Sequence, residues 1–277
     1  MQVHQEQGQC DKSEETIREL ERQIDELTTA NLLLQDQLAR KEQFSAMIAH
    51  ELRGPLSPII NYAQMMARHV DVQGESGEGI VKLSSSTLQR STNIIISQAR
   101  RLSRLVNDLL DASRLSSGQF TLLHEACDIV ALARELQEQL RPVAPYHTLV
   151  IDAPDTPVMG TWDGGRLQQA LGNLLDNAIK YSDENTIITL RIWTTPDAAH
   201  VSVHNQGVSI PVGEMGLLFR PYTRLPAASM REGSGLGLYI TKSIIEAHGG
   251  TLRLEPSSEE ATSEGQKGTT FSFDLPL

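Results

Sequence analysis

The stretch Phe44–Pro55, FSAMIAHELRGP, sets a histidine beside a glutamate in a helical pattern that runs into a proline. Neutral imidazole is nucleophilic at one ring nitrogen, and a carboxylate bound to the other N–H stabilises the cation that forms on attack. Glu51 is placed to do this for His50. We expect Pro55 and Pro58 to bend the helix and expose the ring. The alternative interpretation is a polar histidine on the surface of a helical bundle.

Upstream of that stretch, apolar residues recur in alternating steps of three and four. The heptad a positions are Ile17, Ile24, Asn31 and Leu38, and the d positions are Leu20, Leu27 and Leu34. Ile at a with Leu at d is typical of a parallel two-stranded coiled coil, and one Asn at a fixes its register. We therefore predict a coiled coil over residues 1–43 and a homodimer. A lone amphipathic helix packed on a globular core is the alternative.

Downstream, the polar, glycine-rich residues 71–79 indicate a loop, and Ser86–Leu115 resumes a long helical pattern. Two helices joined by a loop form a hairpin, and two hairpins of a dimer would form a four-helix bundle. We assign residues 44–118 to this dimerisation domain, which carries His50.

Residues 119–277 alternate between strand and helix patterns and are predicted to form an α/β domain that binds a nucleotide. Three helices are expected. One is capped by Asp128 and continues to Leu140, and the others cover Gly165–Tyr181 and Leu236–His248. The expected strands are Phe120–Leu123, Thr148–Ile151, Ile187–Trp193, His200–His204, Thr251–Glu255 and Thr269–Leu275.

One predicted helix carries Asn173, Asn177 and Lys180 at positions i, i+4 and i+7, hence on one face. Amide oxygens are suitable ligands for Mg²⁺, which keeps its other positions for water and phosphate. Lys180 adds positive charge toward the phosphates, and Tyr181 could stack on a purine. An exposed polar helix edge is the alternative, since Asn is common on surfaces.

Glycines alternate at Gly233, Gly235 and Gly237, just before a predicted helix. Backbone N–H groups in such a loop bind anions when a helix N-terminus follows. A dinucleotide fingerprint is excluded because Leu238 occupies its third glycine position, and no G-K-[ST] sequence supports a Walker loop.

These segments resemble, in order, the boxes of bacterial sensor histidine kinases. FSAMIAHELRGPLSPI resembles the H box, NLLDNAIKYS the N box of the GHKL ATP-binding fold, LLFRPYTR the F box and GSGLGL the G2 box. The resemblance implies a helical-hairpin dimer plus an α/β two-layer sandwich. It also implies that His50 is the phosphoacceptor and Glu51 its base. The implied ATP and Mg²⁺ contacts are Asn173, Asn177, Lys180, Tyr181, Asn205, Gly207, Arg220, Arg224, Gly233, Gly235, Leu236 and Gly237, with Asn177 and Asn173 as the metal ligands.

Two positions depart from the family pattern. Gly54 stands where the family has the Thr or Asn credited with orienting the water that dephosphorylates the partner. In the G1 box, D-x-G-x-G in the family, Asn205 replaces the aspartate and Ser209 the second glycine. Asn205 can still accept a hydrogen bond from the adenine amino group through its amide oxygen.

The composition narrows the function classes further. Lys and Arg total 24 against 35 Asp and Glu, and the net charge of −11 disfavours nucleic acid as a ligand. The two cysteines, Cys10 and Cys127, have no spacing typical of a disulfide framework. No stretch approaches the ~18 apolar residues of a membrane span, and the N-terminus lacks a secretory signal. We expect a cytoplasmic protein whose sensor, if it has one, lies upstream of this chain.

The combined prediction is an ATP-dependent histidine kinase that phosphorylates His50 and passes the phosphoryl group to an aspartate of a response-regulator receiver domain. Two alternatives remain: a nucleotide-dependent conformational switch with the same ATP-binding fold, and a dimeric scaffold without enzymatic activity.

Overall fold

The computed structural model describes residues 2–70, 84–142, 144–207, 209–223, 234–255 and 268–277. The chain divides into two compact units, Met1–Gly54 and Pro55–Leu277. The predicted loop at residues 71–79 lies outside the described residues.

Helix α1 covers Gln2–Val70 and continues through both prolines, Pro55 and Pro58, without interruption. In its upstream part the apolar a and d side chains from Leu20 to Leu38 are more than half exposed in the single chain. On the face away from this apolar seam, Arg22 contacts Glu19 at 2.9 Å and Glu26 at 3.0 Å. An exposed apolar seam with a charged face behind it is the surface that a second helix covers in a coiled coil.

Helix α2 covers Ser85–Ser116, close to the predicted bounds. Ser84 caps its N-terminus, where the hydroxyl accepts a hydrogen bond from the Thr87 N–H at 3.2 Å. The helix stops where Gly118 adopts a φ of 68°, a left-handed conformation that glycine adopts at little energetic cost.

The α/β part contains a five-stranded sheet, a two-stranded sheet and three helices. The five-stranded order is β2 (Thr148–Asp152), β4 (Ile187–Thr194), β5 (Ala198–Gln206), β7 (Gly268–Pro276) and β6 (Thr251–Glu255). Among the described strands of this sheet, β2 and β4 pair in parallel and the other neighbours pair antiparallel. The small sheet pairs β1 (Glu125–Asp128) with β3 (Met159–Trp162), and the helices are α3 (Ile129–Leu140), α4 (Gly164–Tyr181) and α5 (Gly237–Ala247).

The core lies between the large sheet and the helices. Strand β5 alternates strictly, and Ala199, Val201 and Val203 on its covered face are fully buried. Helices α4 and α5 contribute fully buried side chains such as Leu171 and Ile244. This confirms the predicted two-layer α/β sandwich.

The strand predicted at Phe120–Leu123 is wrong, because those residues have no regular structure. The Leu123 N–H instead donates a hydrogen bond to the Asp163 carboxylate at 2.9 Å. The strand that does form, β1, begins two residues later. Its partner β3 was not predicted, since four residues whose apolar side chains, Met159 and Trp162, lie only at the two ends give no periodic signal.

The last turns of α2 belong to the core of the α/β part. Ala112 is 3% exposed within that core, and the Asp111 side chain is almost fully buried. Asp111 accepts hydrogen bonds from Arg166 at 2.7 Å and from Gln169 at 2.8 Å. The Arg166 guanidinium also lies 4.9 Å from the centre of the Phe120 ring. The end of α2 and the beginning of α4 are therefore joined by a buried ion pair.

The buried His248 lies at the C-terminal end of α5. The Asp163 N–H donates to His248 Nε2 at 2.9 Å, so this nitrogen is unprotonated, and Nδ1 donates to the Ile244 carbonyl at 2.8 Å. Burial lowers the pKa of His248 below its usual value.

We expect the α/β part to lose stability as the pH falls below about 6.5. The folded-state pKa of His248 is depressed, so its contribution to stability is present above the unfolded-state pKa and is lost as the pH falls through the folded-state value. Burial lowers the pKa of His204 as well, so it adds to the same trend. Thermal melts should be measured from pH 8 to pH 5. The melting temperature should depend less on pH in His248→Gln than in the wild type, whereas His50→Gln, which changes an exposed histidine, should behave like the wild type. Equal slopes in all three proteins would contradict this assignment.

Candidate nucleotide site and phosphoacceptor helix

The candidate phosphoacceptor lies on α1, in the first unit. His50 is exposed and Glu51 is partly buried, so the imidazole can be reached from solvent. Gly54 stands one turn further on, and a β-carbon added there would meet no other atom within 4 Å. A larger side chain at this position therefore has room.

The predicted metal ligands Asn173 and Asn177 lie in the middle of α4, and both are partly buried. The Asn173 amide nitrogen donates to the Gly237 carbonyl at 3.3 Å and to the Thr241 hydroxyl at 3.4 Å. The Thr241 hydroxyl in turn donates to the Gly237 carbonyl at 2.8 Å. The amide nitrogen thus faces α5, which leaves the amide oxygen as the atom available to a cation.

The glycine-rich segment meets α4 at the start of α5. Gly237 is the first residue of α5, and its Leu236 cap makes no side-chain hydrogen bond to the helix. An uncapped helix N-terminus presents N–H groups to an anion. Gly235 has a φ of 68° and its carbonyl accepts from the Tyr222 N–H at 3.1 Å. A β-carbon on Gly235 would lie 2.9 Å from the Thr223 carbonyl oxygen, so a side chain is excluded.

The end of β5 meets the end of α4. Gly207 pairs with Ser182, and a β-carbon on Gly207 would collide with the Tyr181 carbonyl oxygen. Asn205 is 4% exposed, and its amide nitrogen has no hydrogen-bond partner among the described residues. The Ser182 hydroxyl is likewise buried without a described partner.

Of the remaining predicted nucleotide contacts, the structure describes some and leaves others outside the described residues. Lys180 Nζ lies 5.3 Å from the centre of the Tyr181 ring, at the last turn of α4. Arg220 is exposed in the turn after the 3-10 helix Val212–Leu217. Arg224 and Gly233 lie outside the described residues.

The structure therefore brings together residues that are far apart in the sequence, such as Asn173 and Gly237, which are separated by 64 positions. His50 and Glu51 belong to the first unit, Met1–Gly54. Sequence reasoning missed Thr241 and Ser182. Thr241 follows Gly237 by four residues, which is the spacing of a helical hydroxyl bonded to a preceding carbonyl, but this pattern alone does not indicate a site.

The donor set fits a magnesium-bound nucleotide. Amide oxygens suit Mg²⁺, an uncapped helix N-terminus suits phosphate, and buried polar atoms without partners suit a base. No three His, Cys, Asp or Glu side chains gather as a metal site within the described parts of the chain. The amides of α4 are thus the candidate ligands.

Two family matches cover most of the chain. Residues 40–118 match HisKA, the His Kinase A phospho-acceptor domain, and residues 162–277 match HATPase_c, the histidine kinase-, DNA gyrase B- and HSP90-like ATPases. The second match indicates ATP as the nucleotide.

Similar curated proteins are sensor kinases by name. The circadian input-output histidine kinase CikA of Synechococcus elongatus is 31% identical over 97% of this chain and 34% of its own length. The probable sensor histidine kinase TcrY of Mycobacterium tuberculosis is 31% identical over 93% of this chain and 50% of its own length. The chain therefore spans a third to a half of these relatives.

Among solved structures, the histidine kinase ThkA in complex with the response regulator protein TrrA matches with a TM-score of 0.57. The match covers 87% of this chain and 63% of that one at 24% identity, so the likeness concerns the fold. No helix in the described ranges is both long and apolar enough to cross a membrane. With a HisKA domain followed by a HATPase_c domain, the chain belongs to the histidine kinase family.

Proposed function

We propose that this chain binds ATP with Mg²⁺ in the α/β domain and transfers the γ-phosphoryl group to His50. The observation that supports this most strongly is that helix α4 contacts the start of α5 through Asn173 and the buried end of β5 through Ser182. Each of these three parts is suited to a different part of a nucleotide: the metal, the phosphates and the base.

In this reaction a bond forms between an imidazole nitrogen and the γ-phosphorus, and the bond from that phosphorus to the ADP oxygen breaks. Glu51 holds the other ring N–H and stabilises the developing imidazolium, whose proton is then lost to solvent. Mg²⁺ held by Asn177 and Asn173 would neutralise phosphate charge, and Lys180 and Arg220 or Arg224 would add positive charge. Phosphoryl transfer depends mainly on positioning and charge neutralisation, so the approach of the domains is the regulated step.

We also propose that the protein is a cytoplasmic homodimer whose partner is a response regulator. The exposed heptad seam of α1 supports a coiled coil over residues 1–43, and residues 44–118 and 119–277 act as the phosphotransfer and catalytic domains. The phosphoryl group would pass to an aspartate of a response-regulator receiver domain. A regulator is the partner in the ThkA complex, whose fold is similar.

Incubation with γ-labelled ATP and Mg²⁺, followed by mapping of the modified residue, tests the kinase. We expect acid-labile, base-stable label on the peptide that contains His50. ATP turnover without any labelled histidine would favour the conformational switch instead.

Removal of a proposed metal ligand tests whether the protein is a kinase or a scaffold without enzymatic activity. We expect Asn177→Ala to weaken Mg²⁺-dependent ATP binding by at least about tenfold, because an oxygen ligand is lost. Titration of a fluorescent ATP analogue with and without Mg²⁺ measures this. If neither the wild type nor the variant binds ATP, the scaffold is favoured.

Gly54 predicts weak phosphatase activity toward a phosphorylated regulator, because glycine has no side chain to orient a water molecule. Since a β-carbon at Gly54 meets nothing within 4 Å, Gly54→Asn and Gly54→Thr should fit and raise the dephosphorylation rate. Gly54→Ala is the matched control, because it adds the β-carbon without a polar group. Strong phosphatase activity in the wild type would contradict this prediction.

A further inference from the structure

The amide of Asn205 is a buried donor that the described protein does not satisfy. The residue is 4% exposed, and its Nδ2 has no hydrogen-bond partner among the described residues. Leaving a buried N–H without an acceptor destabilises the folded state, and such groups are rare in folded proteins. An acceptor from outside the chain would remove this penalty.

The position of Asn205 is fixed by its surroundings. It is the last buried residue on the covered face of β5, after Ala199, Val201 and Val203. Its main chain pairs with Ile188 on one side and Thr269 on the other. A β-carbon on Gly268 would collide with the Asn205 carbonyl oxygen, so the strands are closely packed there. The side chain therefore points into the interior beside the Gly207–Ser182 bridge, where the candidate site ends.

A carboxylate at this position could only accept hydrogen bonds, whereas an amide both donates and accepts. Adenine offers an amino donor at C6 and an acceptor at N1. Hypoxanthine and guanine offer the reverse, a carbonyl acceptor at C6 and an N1–H donor. A carboxylate repels a C6 carbonyl, because two acceptors then face each other. An amide satisfies either base edge when it rotates by half a turn.

We propose that Asn205 relaxes the base specificity of this kinase, so that 6-oxopurine nucleoside triphosphates bind in the same site as ATP. The proposal rests on the proposed function, since it requires that the nucleotide base reaches the end of β5. Its basis is the buried donor at Asn205, which a purine C6 carbonyl can satisfy. Asn205 is thus a specificity-determining residue.

Competition binding with ATP and inosine triphosphate, both with Mg²⁺, tests the proposal. Inosine triphosphate differs from ATP only at the C6–N1 edge, so the comparison isolates the contact. In the wild type we expect the two dissociation constants to agree within about tenfold, because both edges find partners. In Asn205→Asp we expect the preference for ATP to rise by at least about 30-fold, because the donor is lost and a repulsion is gained.

Asn177→Ala is the matched control. It acts on the metal and phosphates, so it should weaken both nucleotides and leave their ratio unchanged. Thermal melts should confirm that each variant is folded.

The outcomes separate the two proposals. If ATP binds well but inosine triphosphate binds more than about 100-fold more weakly to the wild type, the specificity proposal is overturned and the kinase stands. An unchanged ratio in Asn205→Asp also overturns it. If neither nucleotide binds and no histidine is labelled, the proposed function itself fails.

Discussion

Replacement of His50 by glutamine should abolish phosphorylation from ATP, to below about one part in a thousand of the wild-type rate. Glutamine keeps a polar side chain of similar length but has no nucleophilic nitrogen. His50 is exposed on α1, so the change should leave folding intact. Labelling with γ-labelled ATP measures the rate, and Mg²⁺-dependent ATP binding should be the same as in the wild type.

The same variant tests whether the dimer phosphorylates within one subunit or across subunits. In mixed dimers of His50→Gln with Asn177→Ala, one subunit binds ATP and the other supplies the acceptor. Label on the Asn177→Ala subunit means transfer across the dimer, and no label means transfer within a subunit. Persistent label on the isolated His50→Gln protein would refute His50 as the acceptor.

Loss of the Asp111 carboxylate should destabilise the α/β part strongly. Asp111→Ala leaves Arg166, whose side chain is only 24% exposed, without its ion pair. Breaking a buried pair by removing one partner costs about 3–5 kcal/mol, because a charge stays buried without compensation. Urea unfolding followed by the fluorescence of buried Trp162 should show a lower midpoint.

Asp108, one turn earlier on α2, provides the control. Burial, and then the nearby Asp111 charge, raises its pKa to about 6. Its ionised form therefore opposes folding above that pH, and Asp108→Asn should be neutral or stabilising at pH 7.5. The double variant Asp111→Leu with Arg166→Met should recover much of the lost stability, since it removes both charges. Equal destabilisation by Asp108→Asn and Asp111→Ala would contradict the ion-pair explanation.

Local signals made most of the fold predictable. Asp128 predicted the start of α3, and the strand expected at His200–His204 lies within β5. The pairing of β1 with β3 could not be predicted, because each strand has four residues and their register depends on contacts about 30 residues apart. The strand expected at Phe120–Leu123 failed because its backbone bonds to the Asp163 carboxylate rather than to another strand.

The same distinction applies to the site. The spacing of Asn173 and Asn177 on one helix is a local property and was read from the sequence. The contact of Asn173 with Gly237 and Thr241 joins two helices whose approach depends on the whole core. The ion pair between Asp111 and Arg166 likewise spans 55 residues and has no local pattern.

Strand β7 lies between β5 and β6 although it follows both of them in the sequence. During synthesis, a nascent chain that ends before Gly268 exposes one unpaired edge on β5, and β6 has no partner among the strands of the large sheet. Exposed strand edges recruit other chains, so this interval favours aggregation. The large sheet can close only after β7 has left the ribosome, which makes chaperone binding most useful between the synthesis of β6 and that of β7.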